Sequence, residues 1–224
     1  VDNLSSGENV GDAAESWEIT PDGLTVTFKL RPNMKFDPRP PTEGRTVQAT
    51  DVLFSWERFV AQSPDAPELS SIRNPRSPIE SMKASDNRTI TVKLAYPYAP
   101  ILALLGDQRF DMAIQPTEAD AKYDPKKEMR GSGPFYLENW TPGVGYSFKR
   151  NPGYFDANRP YFDGIEMPVI SEYAQQVAQF QARRIWALNA RQEDLLSIKR
   201  ENPLAVLRRN LVYFLTAPTL IYLS

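Results

Sequence analysis

Residues 17–31 read Trp-Glu-Ile-Thr-Pro-Asp-Gly-Leu-Thr-Val-Thr-Phe-Lys-Leu-Arg. Pro21-Asp22-Gly23 is a turn with a mechanism, since proline presets φ and glycine accepts a positive φ at no steric cost. Beyond it Leu24, Val26, Phe28 and Leu30 alternate with Thr25, Thr27, Lys29 and Arg31. A period of two means one buried and one wetted face, so the stretch is a hairpin. The same rule predicts a strand pair over Ile79 to Ala84 and Thr89 to Leu94 around Asp86-Asn87. It predicts another over Phe135 to Trp140 and Val144 to Arg150 around Pro142-Gly143, with Val144, Tyr146 and Phe148 on one face.

Between the hairpins the period changes. Val52, Leu53, Trp56, Phe59 and Val60 form an amphipathic stripe. Thr50 is placed as its N-cap, with Asp51 at the positive end of the helix dipole. A short apolar helix is expected over Ile101 to Leu105. The proline-rich runs 32–44 and 61–78 read as loops. Further on, Ile165 to Ile170 reads as a buried strand. A helix capped by Ser171 then carries Tyr173, Val177, Phe180 and Arg184 on one side, and a second helix spans about Glu193 to Arg200. The apolar end, Asn210 to Ser224, is too short to span a bilayer and reads as two strands split at Ala217-Pro218. It predicts an apolar seam along Leu211 to Leu223 suited to self-association. Hairpins early and βα units late make the chain α+β with some parallel pairing.

Composition narrows the chemistry. The 224 residues contain no cysteine and no histidine, which removes disulfides, thiol nucleophiles, histidine metal sites and serine–histidine triads. A formal charge of −2, with neither sign in a long run, gives no footprint for nucleic acid. The N-terminus shows neither the charged nor the apolar region of a signal peptide. Gly131-Ser132-Gly133 and Gly143-Val144-Gly145 precede strands rather than helices, so they read as turns and not as phosphate cradles. The charged run from Glu118 to Lys127 is a solvated face. Aromatics beside prolines, namely Tyr96, Tyr98, Tyr154, Phe155, Tyr161 and Phe162, either pack over a core edge or line a pocket.

Taken in order, these segments resemble the family 5 extracellular solute-binding proteins, the oligopeptide-, dipeptide- and nickel-binding components of bacterial ABC importers. The likeness runs through Ala14-Glu15-Ser16-Trp17-Glu18-Ile19, Asp22 to Arg31, Lys35-Phe36 and Ala49-Thr50-Asp51-Val52-Leu53-Phe54-Ser55-Trp56. It continues through Asp86 to Leu94 and Pro97-Tyr98-Ala99-Pro100, then Gly131-Ser132-Gly133-Pro134-Phe135-Tyr136-Leu137 with Trp140. It closes on Arg150-Asn151-Pro152-Gly153-Tyr154-Phe155. Two departures stand out. Asp37-Pro38-Arg39-Pro40-Pro41 replaces a short Asp-Gly turn, and Arg183-Arg184-Ile185-Trp186 is more basic and aromatic than the family's Ser-Gly-Glu-Ile-Asp.

The resemblance implies the mixed-sheet first lobe of a type II periplasmic-binding-protein-like fold with a smaller inserted β-rich subdomain. Residues 1–30 would start the lobe, 31–130 form the insert and 131–224 complete the lobe up to the hinge, the second lobe lying outside this sequence. It implies a non-catalytic receptor, without cofactor or metal, that captures a peptide or similar small solute between two lobes and passes it to an ABC permease in the membrane. The implied location is periplasmic or extracellular, with lipid anchoring compatible. Match to family positions that face the ligand points to the loop Ser63 to Glu68, in particular Ser63 and Asp65, and to Tyr222. Two other classes stay open: a carboxylate-dependent glycan hydrolase, which needs two acids opposed across a cleft, and the ligand-sensing domain of a regulator.

Overall fold

A computed structural model describes residues 9–107, 110, 112–209 and 219–223. The chain divides into two compact units, one of residues 1–139 and 147–166, the other of residues 140–146 and 167–224.

The first unit is built on a four-stranded antiparallel sheet in the order β1-β2-β4-β3, with β1 Ala14–Ile19, β2 Thr25–Leu30, β3 Ile79–Ala84 and β4 Thr89–Leu94. The expected hairpins are present. In the first, Asp22 accepts the Leu24 amide at 3.0 Å and the Thr20 hydroxyl, and Gly23 sits at φ 68°, where a side chain would be strained. Register follows the apolar alternation: Val26 pairs with Val92, and Val92 with Met82, so a row of apolar side chains crosses the sheet on one face.

Helix α1, Ala49–Gln62, lays Trp56 and Phe59 on that face, their rings stacked 5.8 Å apart. Each large apolar side chain buried here contributes about 1.5–3 kcal/mol. The helix begins earlier than Thr50. Gln48 is the N-cap, and its amide donates to the Asp51 carboxylate at 2.9 Å, so Asp51 stands at the third helical position as half of a capping box. The run 61–78 is not wholly irregular either, because Ala66–Leu69 forms a one-turn helix, α2, with Pro67 in its first turn. Helix α3 covers Ile101–Leu105 as expected.

A three-stranded sheet follows, in the order β5-β6-β7, of Phe135–Thr141, Gly145–Arg150 and Gly164–Pro168. β7 corrects the buried strand expected over Ile165 to Ile170. It is an edge strand, and its residues are exposed apart from a half-buried Ile165. Val144 falls in the turn, exposed, rather than on a strand face.

In the second unit α4, Tyr173–Gln181, is capped by Glu172 rather than Ser171 and ends before Arg184. α5 is Leu195–Glu201. These helices pack Phe180 and Ile198 against β8, Ala187–Ala190, and Ala205 of β9, Ala205–Arg209. Neither strand was expected. β10, Thr219–Leu223, is one of the two strands expected at the chain end, and it pairs antiparallel with both β8 and β9. The other expected strand, before Ala217-Pro218, and most of the apolar seam fall outside the described residues. Every ladder whose register is described is antiparallel, and the parallel contacts described are isolated bridges such as Ser70 with Ile79. Among the described residues no helix is long and apolar enough to cross a membrane.

Candidate functional site

An open cleft of about 720 Å³ lies within the first unit. Its walls are four pieces of chain. Residues 9–14 and the sheet residues Trp17 and Phe28 make the first; Leu102 to Gly106 at the end of α3 the second. Met112 to Ile114 with Gly131 to Pro134 make the third, and Tyr154-Phe155 the fourth.

Hydrogen bonds behind the surface hold several of these walls. Gly11 can stand in the first only because it lacks a side chain, since a Cβ there would lie 2.6 Å from the Ala14 carbonyl oxygen. The 131–134 loop is fixed by Asn151, which is 2% exposed. Its side-chain amide donates to Gly133 O at 2.9 Å, its backbone amide donates to Pro134 O at 2.8 Å, and its Oδ1 accepts the Gly153 amide at 2.9 Å. Asp37, in the proline-rich loop, donates its amide to Gly131 O at 2.8 Å. That loop is itself held by Arg39, which bonds the buried Asp37 carboxylate at 2.8 Å and lies 4.9 Å from the Tyr136 ring centre.

The 112–114 wall hangs from α1. Ser55 Oγ accepts the Gln115 amide at 2.8 Å and donates to Asp51 O. Asp51, fully buried, accepts the Thr117 amide at 3.0 Å. Arg45 then bridges Asp51, at 2.7 and 2.8 Å, and Glu118, at 2.5 and 2.9 Å, over the ring of Phe36. Those bonds hold the Glu118 carboxyl below its ordinary range and push the Arg45 guanidinium pKa up. Arg58 repeats the clamp on Asp120 at 2.7 and 3.2 Å.

The cleft's surface is mainly apolar, from Val10, Trp17, Phe28, Met34, Leu102, Leu105, Met112, Ile114 and Phe155. Asp12 is the one side chain among its lining residues that is charged at neutral pH. Tyr154 has its hydroxyl pKa raised, first by burial and then by Asp12 and Asp156. Such a surface receives an apolar group and offers a neutral or cationic end a carboxylate to meet. Among the described residues no group of three or more carboxylates could hold a metal ion.

The residues singled out from the sequence lie elsewhere. Ser63 is the C-cap of α1 and its Oγ accepts the amide of Asp65, which is the N-cap of α2. Both are half-buried, and neither lines the cleft. Tyr222 belongs to the second unit, in β10, paired with Ala187 and Val206. Of the prolyl-flanked aromatics, Tyr154 and Phe155 line the cleft, their rings 4.6 Å apart, whereas Tyr161 and Phe162 are 78% and 64% exposed. Gly131-Ser132-Gly133, read as a turn, is also a cleft wall. Its signal was the neighbouring Asn151-Pro152-Gly153-Tyr154-Phe155, which folds back onto it.

The architecture is that of a lobe of the periplasmic binding proteins. The solved structure of the binding protein MoaA from A. tumefaciens R10, in complex with mannopinic acid, overlays with a TM-score of 0.73 at 29% identity, covering 89% of this chain and 39% of that one. DppA from Helicobacter pylori, in complex with the peptide STSA, gives 0.73 at 27% identity, covering 89% and 41%. The chain belongs to the bacterial extracellular solute-binding proteins, family 5, whose middle region matches residues 8–221. It is 30% identical over 176 residues to the probable D,D-dipeptide-binding periplasmic protein DdpA of Escherichia coli K12, covering 75% of this chain and 31% of that protein. It is 28% identical over 201 residues to the dipeptide-binding protein of the same organism, covering 80% and 36%. The chain thus spans about a third of the length of the curated relatives it matches.

Proposed function

We propose that this chain is part of a solute-capturing receptor of an ABC importer, which binds a peptide or similarly small solute outside the cytoplasmic membrane and presents it to a membrane permease. The location is periplasmic or extracellular, as the names of the relatives suggest for them. The observation that carries this reading is the cleft in the first unit, with its apolar walls and single carboxylate, on a family 5 chain. One carboxylate among the lining residues favours binding over glycan hydrolysis, which uses two opposed acids. We assign residues 1–30, 31–130 and 131–224 to the start, the insert and the remainder of the first lobe. Ser63, Asp65 and Tyr222, which lie outside this cleft, are assigned to further ligand contacts on their match to family positions.

The test is thermal unfolding and calorimetry of the chain with L-alanyl-L-alanine, D-alanyl-D-alanine and mannopinic acid. The receptor grips its solute between two lobes, and this chain spans about a third of its relatives' length. The chain alone is therefore expected to bind the three weakly or not at all, well short of the stabilisation of about 2.7 kcal/mol that a ligand at one hundred times its Kd supplies. Recovery of a probe chemically altered, or tight binding of any of the three by the chain alone, would overturn the reading.

A further inference from the structure

The first and fourth walls of the cleft are joined by one side chain that is absent from the cleft surface. Arg31 follows β2 and is half-buried. Its backbone amide donates to Ala13 O at 3.0 Å, its Nε to Asp12 O at 2.6 Å and its Nη2 to Gly11 O at 3.1 Å. Its guanidinium carbon stands 4.5 Å from the centre of the Phe155 ring. Asn33, two residues on, donates to Phe155 O at 3.2 Å. Three consecutive carbonyls of one wall and the aromatic ring of the other thus meet at one residue.

We propose that Arg31 is the positioning residue of the cleft, setting the spacing between the 11–13 segment and the Tyr154-Phe155 pair and hence the size of solute that fits. This rests on the cleft being the binding site. A planar guanidinium donates from its edge while its face lies on an aromatic ring, so one group serves both walls at once. A lysine ammonium has neither the fork nor the plane, and it reaches a carbonyl or the ring but not two carbonyls and the ring together. Gly11 adds to the demand for a precise anchor, because its backbone is packed against Ala14 O with no room for a Cβ.

The chain has no native cysteine, so paired spin labels can be placed cleanly. Labels at D12C and A157C report across the two walls, both sites being exposed, and labels at E18C and K83C report across the four-stranded sheet as a control. The parent should give a single narrow distance distribution for the cleft pair. R31A should broaden it roughly twofold, and R31K by less, because the ammonium keeps part of the contact set. The control pair should keep its width in both variants. An unchanged cleft distribution in R31A would overturn the proposal, and so would equal broadening of both pairs, which would make Arg31 a residue of general stability. If R31A fails to fold, R31K decides by the same criterion. These distances need no ligand, so their result is independent of whether any solute binds.

Discussion

Replacing Arg45 by methionine keeps an apolar stem over Phe36 and removes the guanidinium that holds α1 to the 115–120 segment. Four charge-assisted bonds go, two to Asp51 and two to Glu118. Asp51 is left fully buried, with the amides of Gln48 and Thr117 as remaining donors. Removing one partner of a buried ion pair costs about 3–5 kcal/mol, chiefly because the other charge stays desolvated. Here the two surviving amide bonds, and the 30% exposure of the Arg45 side chain, place the loss at the lower end, about 3 kcal/mol. For a chain of this size that is a fall in Tm of about 6–12 °C.

Acid dependence provides a second readout of the same substitution. Arg45 lowers the Glu118 carboxyl below its ordinary 4.5, so the folded state favours the ionised form. The stability this supplies is present above pH 4.5 and is lost as pH falls through the lowered folded value. In R45M that part is missing already at neutral pH, so the decline in stability below pH 4.5 becomes shallower than in the parent. Circular dichroism melts of parent and R45M across that range give both quantities. A drop smaller than about 2 °C at neutral pH, or parallel acid profiles, would show that water replaces the guanidinium and that the network does not fasten the cleft wall.

Asn151→Ala strands the Gly133 carbonyl and the Gly153 amide. It should lower stability by about 1–3 kcal/mol in urea unfolding and increase amide exchange in residues 131–135. Asn151→Asp, which keeps the acceptor for Gly153 but sets a buried carboxylate against the Gly133 carbonyl, should lose at least as much at neutral pH and regain part of it in acid, where the protonated carboxyl can donate. The Tyr123 hydroxyl is pushed up to about 12, chiefly by burial and against the pull of Arg130, whose guanidinium lies 5.4 Å from its ring centre. Because the folded state favours the neutral phenol, its contribution holds below pH 10 and is lost between 10 and about 12. Y123F should remove one step from the late end of the absorbance titration at alkaline pH.

The three hairpins and α1 were legible because their information is local. Turn chemistry at Pro21-Asp22-Gly23 and a clean alternation to Leu30 leave one register that buries Val26. The start of α1 was harder, since Thr50 and Asp51 both suit a cap. What decided it is Asp51 reaching back to the Gln48 amide while also serving Arg45 and Thr117, and those partners are close only in the fold. β8 and β9 went unseen because they are short and draw their pairing from β10, far along the chain. The cleft was illegible for a related reason. Gly131 to Pro134 and Tyr154-Phe155 carry ordinary turn and packing signals, and they become cleft surfaces only in the fold, where Asn151 fixes the first and Arg31 and Asn33 hold Phe155. Match to family positions pointed to Asp65, whereas the acidic side chain among the cleft's lining residues is Asp12, in a segment with no regular structure to mark it.

That Arg31 holds the 11–13 segment, and Asn151 the 131–134 loop, by carbonyl oxygens has an evolutionary corollary. Every residue type presents the same oxygen, so the tethers are indifferent to which side chains hang from the tethered backbone. Substitutions at Asp12 or Ser132 can therefore alter polarity and volume without loosening the frame. Under the proposed function, paralogues sharing this framework would be free to diverge in the solute they take while retaining Arg31 and Asn151, and their selectivity should track the wall side chains rather than the tethers.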